Sequence, residues 1–217
     1  MKRFLTYFNN TLYPVSIKIF VLMGIVVSLP ACRHYTPKPT GYFRIEIPEN
    51  EYVKFDSFPF PYGFEMSKYA KIIPQKDELT GDEYWINIFY PQFDATIYCS
   101  FKILQDNLQE MSEDARDFVY KHVIKADEIS EQMFVNPDRN VYGKLYRIGG
   151  NTASAVQFEL TDSLFYFFRG ALYFNAVPNK DSIAPALDFI SEDILVLMET
   201  FEIKPLRRMI YSDITVK

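Results

Sequence analysis

The sequence predicts an α+β fold, in which a largely antiparallel β-sheet is packed by two amphipathic helices. Three observations support this fold class. Several short segments alternate apolar and polar residues between turn-forming residues, short links between consecutive segments favour antiparallel pairing, and two longer segments space their apolar residues three and four apart. The chain has 217 residues, 48% of them hydrophobic and 17% aromatic, so it can bury one substantial core.

Seven segments have the pattern of β-strands. In one of them, Ile97, Cys99 and Phe101 fall on one face, and the residues between them fall on the other. This alternation predicts that Cys99 faces the core. The predicted strands are 42–47, 64–73, 84–90, 95–104, 141–148, 155–160 and 164–174.

Two segments have the spacing of amphipathic helices. In the first, residues 112–129, Ser112 can cap the helix, and the acids that follow suit its positive end. In the second, residues 185–203, Pro185 suits the first turn. The predicted buried faces are Ala115, Phe118, Val119, His122 and Ala126 in the first helix and Leu187, Ile190, Ile194, Leu197 and Phe201 in the second.

The N-terminus has the layout of a secretory signal peptide. Residues 1–18 carry Lys2, Arg3 and Lys18 and no acidic residue, and an apolar run from Ile19 to Leu29 follows. A helix that crosses a bilayer needs about 20 apolar residues, whereas the apolar part of a signal peptide needs about 7 to 15. The run therefore predicts export with cleavage rather than a permanent membrane span.

The cysteine that follows this run has two interpretations. The sequence "LPAC", residues 29–32, resembles the bacterial lipobox, although Pro30 departs from the small or aliphatic residue usual there. The alternative is a disulfide between Cys32 and Cys99, the only other cysteine. A core-facing Cys99 disfavours that pairing, because the segment that carries Cys32 would have to enter the core. The sequence predicts lipidation of Cys32 and an inert core thiol at Cys99, followed by a proline-containing stalk to Gly41.

Charge and motif content point away from several functional classes. The chain has a net charge of −5, and the three basic residues of the N-terminal segment leave the rest still more acidic, which predicts no nucleic-acid partner. The two histidines, His34 and His122, have no companion residues at metal-ligand spacing. The acid pairs at 77–78, 82–83 and 113–114 fit a solvated turn and a helix start. We predict no catalytic residue, no metal and no cofactor.

Two aromatic segments leave the position of a binding surface open. Residues 58–64, "FPFPYGF", and residues 89–94, "FYPQFD", place aromatic side chains in predicted loops. Such side chains serve either as exposed anchors at an interface or as packing for their own domain.

Four segments together resemble one protein family. They are "YTPKPTGYFRIEIP" (35–48), "WINIFYPQFDATIYCSFK" (85–102), "YKHVIKADEI" (120–129) and "ALYFNAVPNKDSIAPALDFISEDILVLMETFEIK" (171–204). In these segments the chain resembles the gliding motility lipoprotein GldD family of Bacteroidetes. The resemblance implies a cell-envelope lipoprotein that is required for gliding and acts with the motor and the associated type nine secretion machinery, and it provides no catalytic residue.

The resemblance also implies how the chain is organised. Residues 1–31 form the lipoprotein signal peptide, 32–41 the lipidated cysteine and stalk, 42–205 the GldD-like α+β domain and 206–217 a C-terminal tail. The expected location is the cell envelope, with a palmitate-type lipid anchor on Cys32 and the domain facing the periplasm, because Arg33 and His34 follow the cysteine rather than the acids of surface-exported lipoproteins. The expected partners are the membrane and other gliding or secretion proteins of the envelope.

Two functional classes remain at this point. One is a non-enzymatic assembly or structural component, and the other is a periplasmic small-ligand or lipid-binding lipoprotein or an unrecognised hydrolase. A closed apolar pocket would favour the second class, whereas an exposed aromatic patch would favour a protein partner.

Overall fold

The computed structural model describes residues 46–57, 59–76, 84–121, 125–175 and 179–204, together with Ile19. The chain divides into two units, Met1–Gly41 and Tyr42–Lys217, and the second unit contains all the helices and strands that follow. Its helices are α1 (Leu108–Tyr120) and α2 (Lys180–Thr200). Its strands are β1 (Tyr52–Phe55), β2 (Tyr62–Ser67), β3 (Lys71–Gln75), β4 (Trp85–Tyr90), β5 (Ala95–Ile103), β6 (Ala126–Asn136), β7 (Val141–Gly150), β8 (Ser154–Thr161), β9 (Tyr166–Phe174) and β10 (Glu202–Ile203).

The strands form one large and one small antiparallel sheet. The large sheet has the order β3-β4-β5-β9-β8-β7-β6, and the small one has the order β1-β2-β10. Every pairing between neighbours in both sheets is antiparallel. The predicted α+β class with a mainly antiparallel sheet and two helices is therefore confirmed.

The register of the large sheet separates a core face from an open face. On the core face, Ile86 lies opposite Cys99, Cys99 opposite Gly170, and Gly170 opposite Phe158. A Cβ atom at Gly170 would lie 2.3 Å from the Phe158 ring, so glycine lets that ring lie across β9. Cys99 is only 3% exposed and is a free thiol, and burial raises the pKa of this thiol well above its usual value. The prediction that Cys99 faces the core is confirmed.

Helix α2 and strand β2 cover the core face. Aromatic rings fill much of the space between them: the Phe201 ring centroid lies 4.9 Å from that of Phe168 and 5.7 Å from that of Tyr62. The buried residues of α2 are Ala186, Phe189, Ile190, Asp193, Ile194, Leu197 and Met198.

The two aromatic segments whose role the sequence leaves open belong largely to this core. Phe60, Tyr62 and Phe64 of the first segment are at most 4% exposed, and Tyr90 of the second is 2% exposed. Phe58 lies outside the described residues. For these four residues the packing interpretation is correct, and none of them is an exposed anchor for a binding partner.

Helix α1 lies on the opposite, open face of the large sheet, over β8 and β9. It buries Ala115 and Val119, which pack in two small clusters against the sheet residues Phe167 and Tyr146, respectively. Phe118, predicted to lie on the buried side, is 44% exposed. The helix therefore covers only part of the open face.

The predicted helix over 112–129 is wrong at both ends. It begins at Leu108, so Ser112 lies inside it, and it ends at Tyr120. Residues from Ala126 onward form β6, a strand that the sequence did not predict. Its alanine, glutamate and glutamine residues favour a helix locally, but pairing with β7 along almost its whole length overrides that preference.

Other boundaries also differ from the prediction. The predicted strand 64–73 is two strands, because a turn at 68–70 sends the chain from the small sheet into the large one. Residues 46–47 of the predicted strand 42–47 are not in a strand, and 42–45 lie outside the described residues. Helix α2 begins five residues before Pro185, at Lys180, where the side chain of Asn179 accepts a hydrogen bond from the Ser182 amide.

Asp193 is a carboxylate inside the core. It is 3% exposed, and burial raises its pKa to about 6. The nearby hydroxyls of Tyr90, Tyr52 and Ser67 oppose this rise, although none of them is in good hydrogen-bonding geometry with either carboxylate oxygen. Asp193 therefore holds its proton to a higher pH in the folded chain than in the unfolded chain.

We expect Asp193→Asn to remove a pH-dependent loss of stability. The folded pKa is about 6 and the ordinary value is 3.8, so the contribution of Asp193 to the free energy of unfolding is largest below pH 4 and falls between pH 4 and 6, by roughly 2 to 3 kcal/mol. In Asp193→Asn this fall should disappear, which makes the variant more stable than the wild type at pH 8. Chemical denaturation across this range measures the effect. Asp188→Asn, at an exposed position of α2, is the control and should retain the fall; an unchanged pH profile in Asp193→Asn would contradict the prediction.

Candidate functional site

An aromatic groove lies on the part of the open face that α1 leaves uncovered. Cross-strand register brings its floor together: Asn87 lies opposite Tyr98, Tyr98 opposite Ala171, and Ser100 opposite Arg169. The groove has a volume of about 570 Å³ and is open to solvent. Its lining residues are Gln75, Lys76, Trp85, Asn87, Tyr98, Cys99, Ser100, Phe118, Arg169, Ala171 and Tyr173.

Aromatic side chains from three strands and a helix form its walls. The rings of Tyr98 and Tyr173 meet edge to face, with centroids 5.6 Å apart. Trp85, the only tryptophan in the chain, is held by a hydrogen bond of 3.2 Å from its Nε1 to the carbonyl oxygen of Phe101. Tyr98 and Phe118 are 47% and 44% exposed. Tyr98 on β5 and Phe118 on α1 thus expose large rings to solvent, and large aromatic residues are enriched among the anchors of protein interfaces.

Arg169 is the charged centre of the groove. Its Nη2 donates to Oε1 of Gln157 at 2.8 Å, and its guanidinium carbon lies 4.4 Å from the centroid of the Phe118 ring. Burial lowers the pKa of Arg169, and the neighbouring Tyr173 and Glu159 oppose that shift. A guanidinium group nevertheless stays protonated in proteins, so the groove contains a permanent, partly desolvated positive charge.

Glu159 is the acidic residue paired with Arg169 across the strands β8 and β9, but its carboxylate contacts other residues. Glu159 lies opposite Arg169 in the β8–β9 pairing but accepts a hydrogen bond of 2.8 Å from Oγ of Ser112. Nζ of Lys144 lies 3.8 Å from the same carboxylate. Burial raises the pKa of Glu159, and Ser112 and Lys144 oppose that rise. Glu159 thus belongs to the interface under α1 rather than to the groove.

The described lining residues are aromatic, amide-bearing, small or basic. The described residues that line the groove include no aspartate, glutamate or histidine. Among the described residues, no group of three or more His, Cys, Asp or Glu side chains could hold a metal ion. What the groove presents is aromatic surface, amides and positive charge.

Two further depressions have different surroundings. One, of about 450 Å³, lies between α2 and the strands β7 and β8, and Arg147, Asp188 and Glu192 contribute to it. The other, of about 190 Å³, is polar and lies beside Arg139 and Glu202. Like the groove, both are open to solvent. An open groove with exposed aromatic side chains is the kind of surface expected for binding a protein, whereas a lipid or small ligand would be expected in a closed apolar pocket.

The residues singled out from the sequence do not form this site. Cys32, His34, His122 and the acid pairs at 77–78 and 82–83 lie outside the described residues, so lipidation of Cys32 stays a prediction. The third pair, Glu113 and Asp114, is exposed on α1. Within the described part of the chain, no helix is long and apolar enough to cross a membrane.

Comparison with known proteins identifies a family and a distant structural likeness. The model of the family described as gliding motility lipoprotein GldD matches residues 32–203. No curated protein matches the sequence. The solution structure of cyanobacterial PsbP (CyanoP) from Synechocystis sp. PCC 6803 is similar at a TM-score of 0.42 and 10% identity, over 73% of this chain and 95% of that one.

The family match covers the whole described fold except Lys204 and Ile19, including the sheet, both helices and every residue that lines the groove. It begins at Cys32, the cysteine that the lipobox pattern selects. On this evidence the chain belongs to the family of gliding motility lipoproteins known as GldD.

Proposed function

We propose that this gliding motility lipoprotein is a non-enzymatic assembly component of the gliding machinery and of the associated type nine secretion machinery of Bacteroidetes. The observation that carries the proposal is the groove on the open face, which exposes the rings of Tyr98 and Phe118 in the same depression as Arg169. A surface of this composition holds a partner in place rather than converting a substrate.

The anchoring part of the proposal concerns Cys32. Signal cleavage before Cys32 and acylation of its thiol, with palmitate among the acyl chains, would tether the domain of residues 42–205 to a membrane through the stalk 32–41. One acyl chain anchors a protein only marginally, whereas several anchor it stably. With the domain facing the periplasm, the tether keeps its concentration near envelope partners high without any additional contact.

A complementation experiment tests both parts of the proposal. In a gliding host, deletion of the gene should give non-spreading colonies and impaired delivery of motility adhesins to the cell surface. Wild-type protein should restore both, whereas Cys32→Ala and a soluble periplasmic form of residues 33–217 should restore neither at native expression. Colony spreading and surface adhesin are the measurements, and labelled palmitate should enter the wild type but not Cys32→Ala.

The outcomes distinguish the proposed membrane anchoring from the proposed assembly role. Full rescue by the soluble form, or equal palmitate labelling of wild type and Cys32→Ala, would remove the anchoring part. Normal gliding and normal secretion in the deletion strain would remove the assembly role.

A further inference from the structure

Two positive charges lie at the Phe118 ring of the groove although the chain as a whole is acidic. The net charge of the chain is −5, yet the guanidinium carbon of Arg169 lies 4.4 Å from the centroid of this ring. Nζ of Lys121 lies 4.3 Å from the same centroid. A local excess of positive charge in an acidic protein selects negatively charged ligands and repels positively charged ones.

Arg169 has hydrogen-bonding capacity to spare. A guanidinium group has five N–H donors in a planar fork, and the side-chain hydrogen bond of Arg169 described in the structure uses one of them, toward Gln157. Among the described residues, no carboxylate oxygen forms a salt bridge with Arg169 within 4 Å. A partly buried, unpaired guanidinium favours a carboxylate, which it binds with two parallel hydrogen bonds.

The surroundings of Arg169 indicate more than a site for a single anion. The groove of about 570 Å³ is far larger than one carboxylate, and Tyr98 and Phe118 expose ring surface in the same groove as this charge. Anchors of this kind gain most when an apolar side chain of the partner covers them and excludes water from the central polar contact.

We propose that the groove docks an acidic segment of a partner protein, with one carboxylate paired to Arg169 and an adjacent apolar or aromatic side chain packed against Tyr98 and Phe118. This inference rests on the proposed function, because it supplies the chemistry of a partner that an assembly component holds. The pairing and the apolar contact act together: the ring that packs on the walls removes water from the ion pair and strengthens it.

Binding in the groove can be measured by the fluorescence of Trp85, because this residue lines the groove and is the only tryptophan in the chain. The probe is a random copolymer of glutamate and tyrosine, added to the full-length protein in neutral detergent, with tryptophan fluorescence excited selectively. A copolymer of lysine and tyrosine is the control for charge. We expect saturable quenching by the acidic copolymer and none by the basic one.

Two pairs of matched variants assign the binding to this groove. Arg169→Gln should weaken binding at least about tenfold, because it removes a charge-assisted pair. Arg147→Gln removes an arginine of the same sheet that also donates to a glutamine, Gln132, and should leave the dissociation constant within about twofold. At the exposed position Tyr98, replacement by Glu should abolish binding, because it removes the ring and adds a repelling charge, while replacement by Gln removes the ring alone and should weaken binding by a smaller factor, about tenfold. Unchanged thermal midpoints show that each variant is folded.

Inorganic phosphate and vesicles of phosphatidylglycerol distinguish a protein segment from other anions. Neither should quench Trp85 in an Arg169-dependent way at physiological salt. Saturable phosphate binding as tight as that of the copolymer, or equal binding of the vesicles, would overturn the assignment to a partner protein. Absence of saturable copolymer binding, or equal binding by wild type and Arg169→Gln, would also overturn it.

This test and the complementation test fail independently. If the deletion strain does not glide but the copolymer does not bind, the inference about the groove is wrong and the assembly role stands. If binding depends on Arg169 but the deletion strain glides and secretes normally, the assembly role is wrong and the groove remains a binding site.

Discussion

Phe201→Ala is expected to lower the free energy of unfolding by about 3 to 5 kcal/mol, because it empties the centre of the aromatic core. Phe201 is fully buried at the end of α2. Its ring centroid lies within 6 Å of those of Tyr62, Tyr166 and Phe168. Since these rings belong to both the small and the large sheet, none can move into the cavity without disturbing its own strand. Equilibrium denaturation of the purified protein measures the change.

The control for Phe201→Ala is the same substitution at an exposed position. Phe118 is 44% exposed, so Phe118→Ala should cost less than about 1 kcal/mol. Equal losses in the two variants would show that the aromatic cluster around Phe201 does not stabilise the fold in the way that its packing indicates.

Gly143→Ala is expected to destabilise the protein by about 3 kcal/mol or more, because the added Cβ atom would clash with the backbone of the neighbouring strand. A Cβ atom at Gly143 would lie 1.9 Å from the carbonyl oxygen of Glu159 and 3.0 Å from Cδ2 of Leu160. The carbonyl oxygen belongs to the main chain of the paired strand β8, so it cannot relieve the clash by changing rotamer as a side chain can. The two strands would have to separate locally and lose ladder hydrogen bonds.

A second glycine of the same strand is a matched control. At Gly149 the nearest atoms to an added Cβ are those of Glu128, at 3.7 Å and beyond, which is ordinary contact. Gly149→Ala should therefore lie within about 1 kcal/mol of the wild type, because a better strand former is added without a clash. A Gly143→Ala protein as stable as Gly149→Ala would contradict the close approach of β7 and β8.

The central strands could be predicted from the sequence because their side chains alternate strictly. In β5, the alternation of Ile97, Cys99 and Phe101 with polar residues reports burial on one face only, and the structure places all three in the core. Edge strands carry a weaker pattern. Every residue of β6 is exposed or half-buried, so its apolar residues do not alternate regularly. Its composition favours a helix unless β7 pairs with it.

The groove could not be predicted from the sequence because no local pattern brings its residues together. Trp85 and Tyr98 come from neighbouring strands, but Arg169 and Tyr173 join them only through the pairing of β5 with β9. Phe118 comes from a helix whose predicted buried face included it. The register of distant strands sets this site, and register depends on the folded partner rather than on the segment itself.

That pairing of β5 with β9 also has a consequence for how the chain folds. The large sheet consists of two local meanders, β3-β4-β5 and β6-β7-β8-β9, in which each strand pairs with its predecessor. They meet along one seam, where nine residues of β5 pair with partners more than sixty positions later in the chain. Closing so long a loop costs entropy before any contact across it is made, so we expect the meanders to form early and the seam to limit the folding rate. The groove straddles this seam, and its binding surface therefore comes into existence only in the last step of folding.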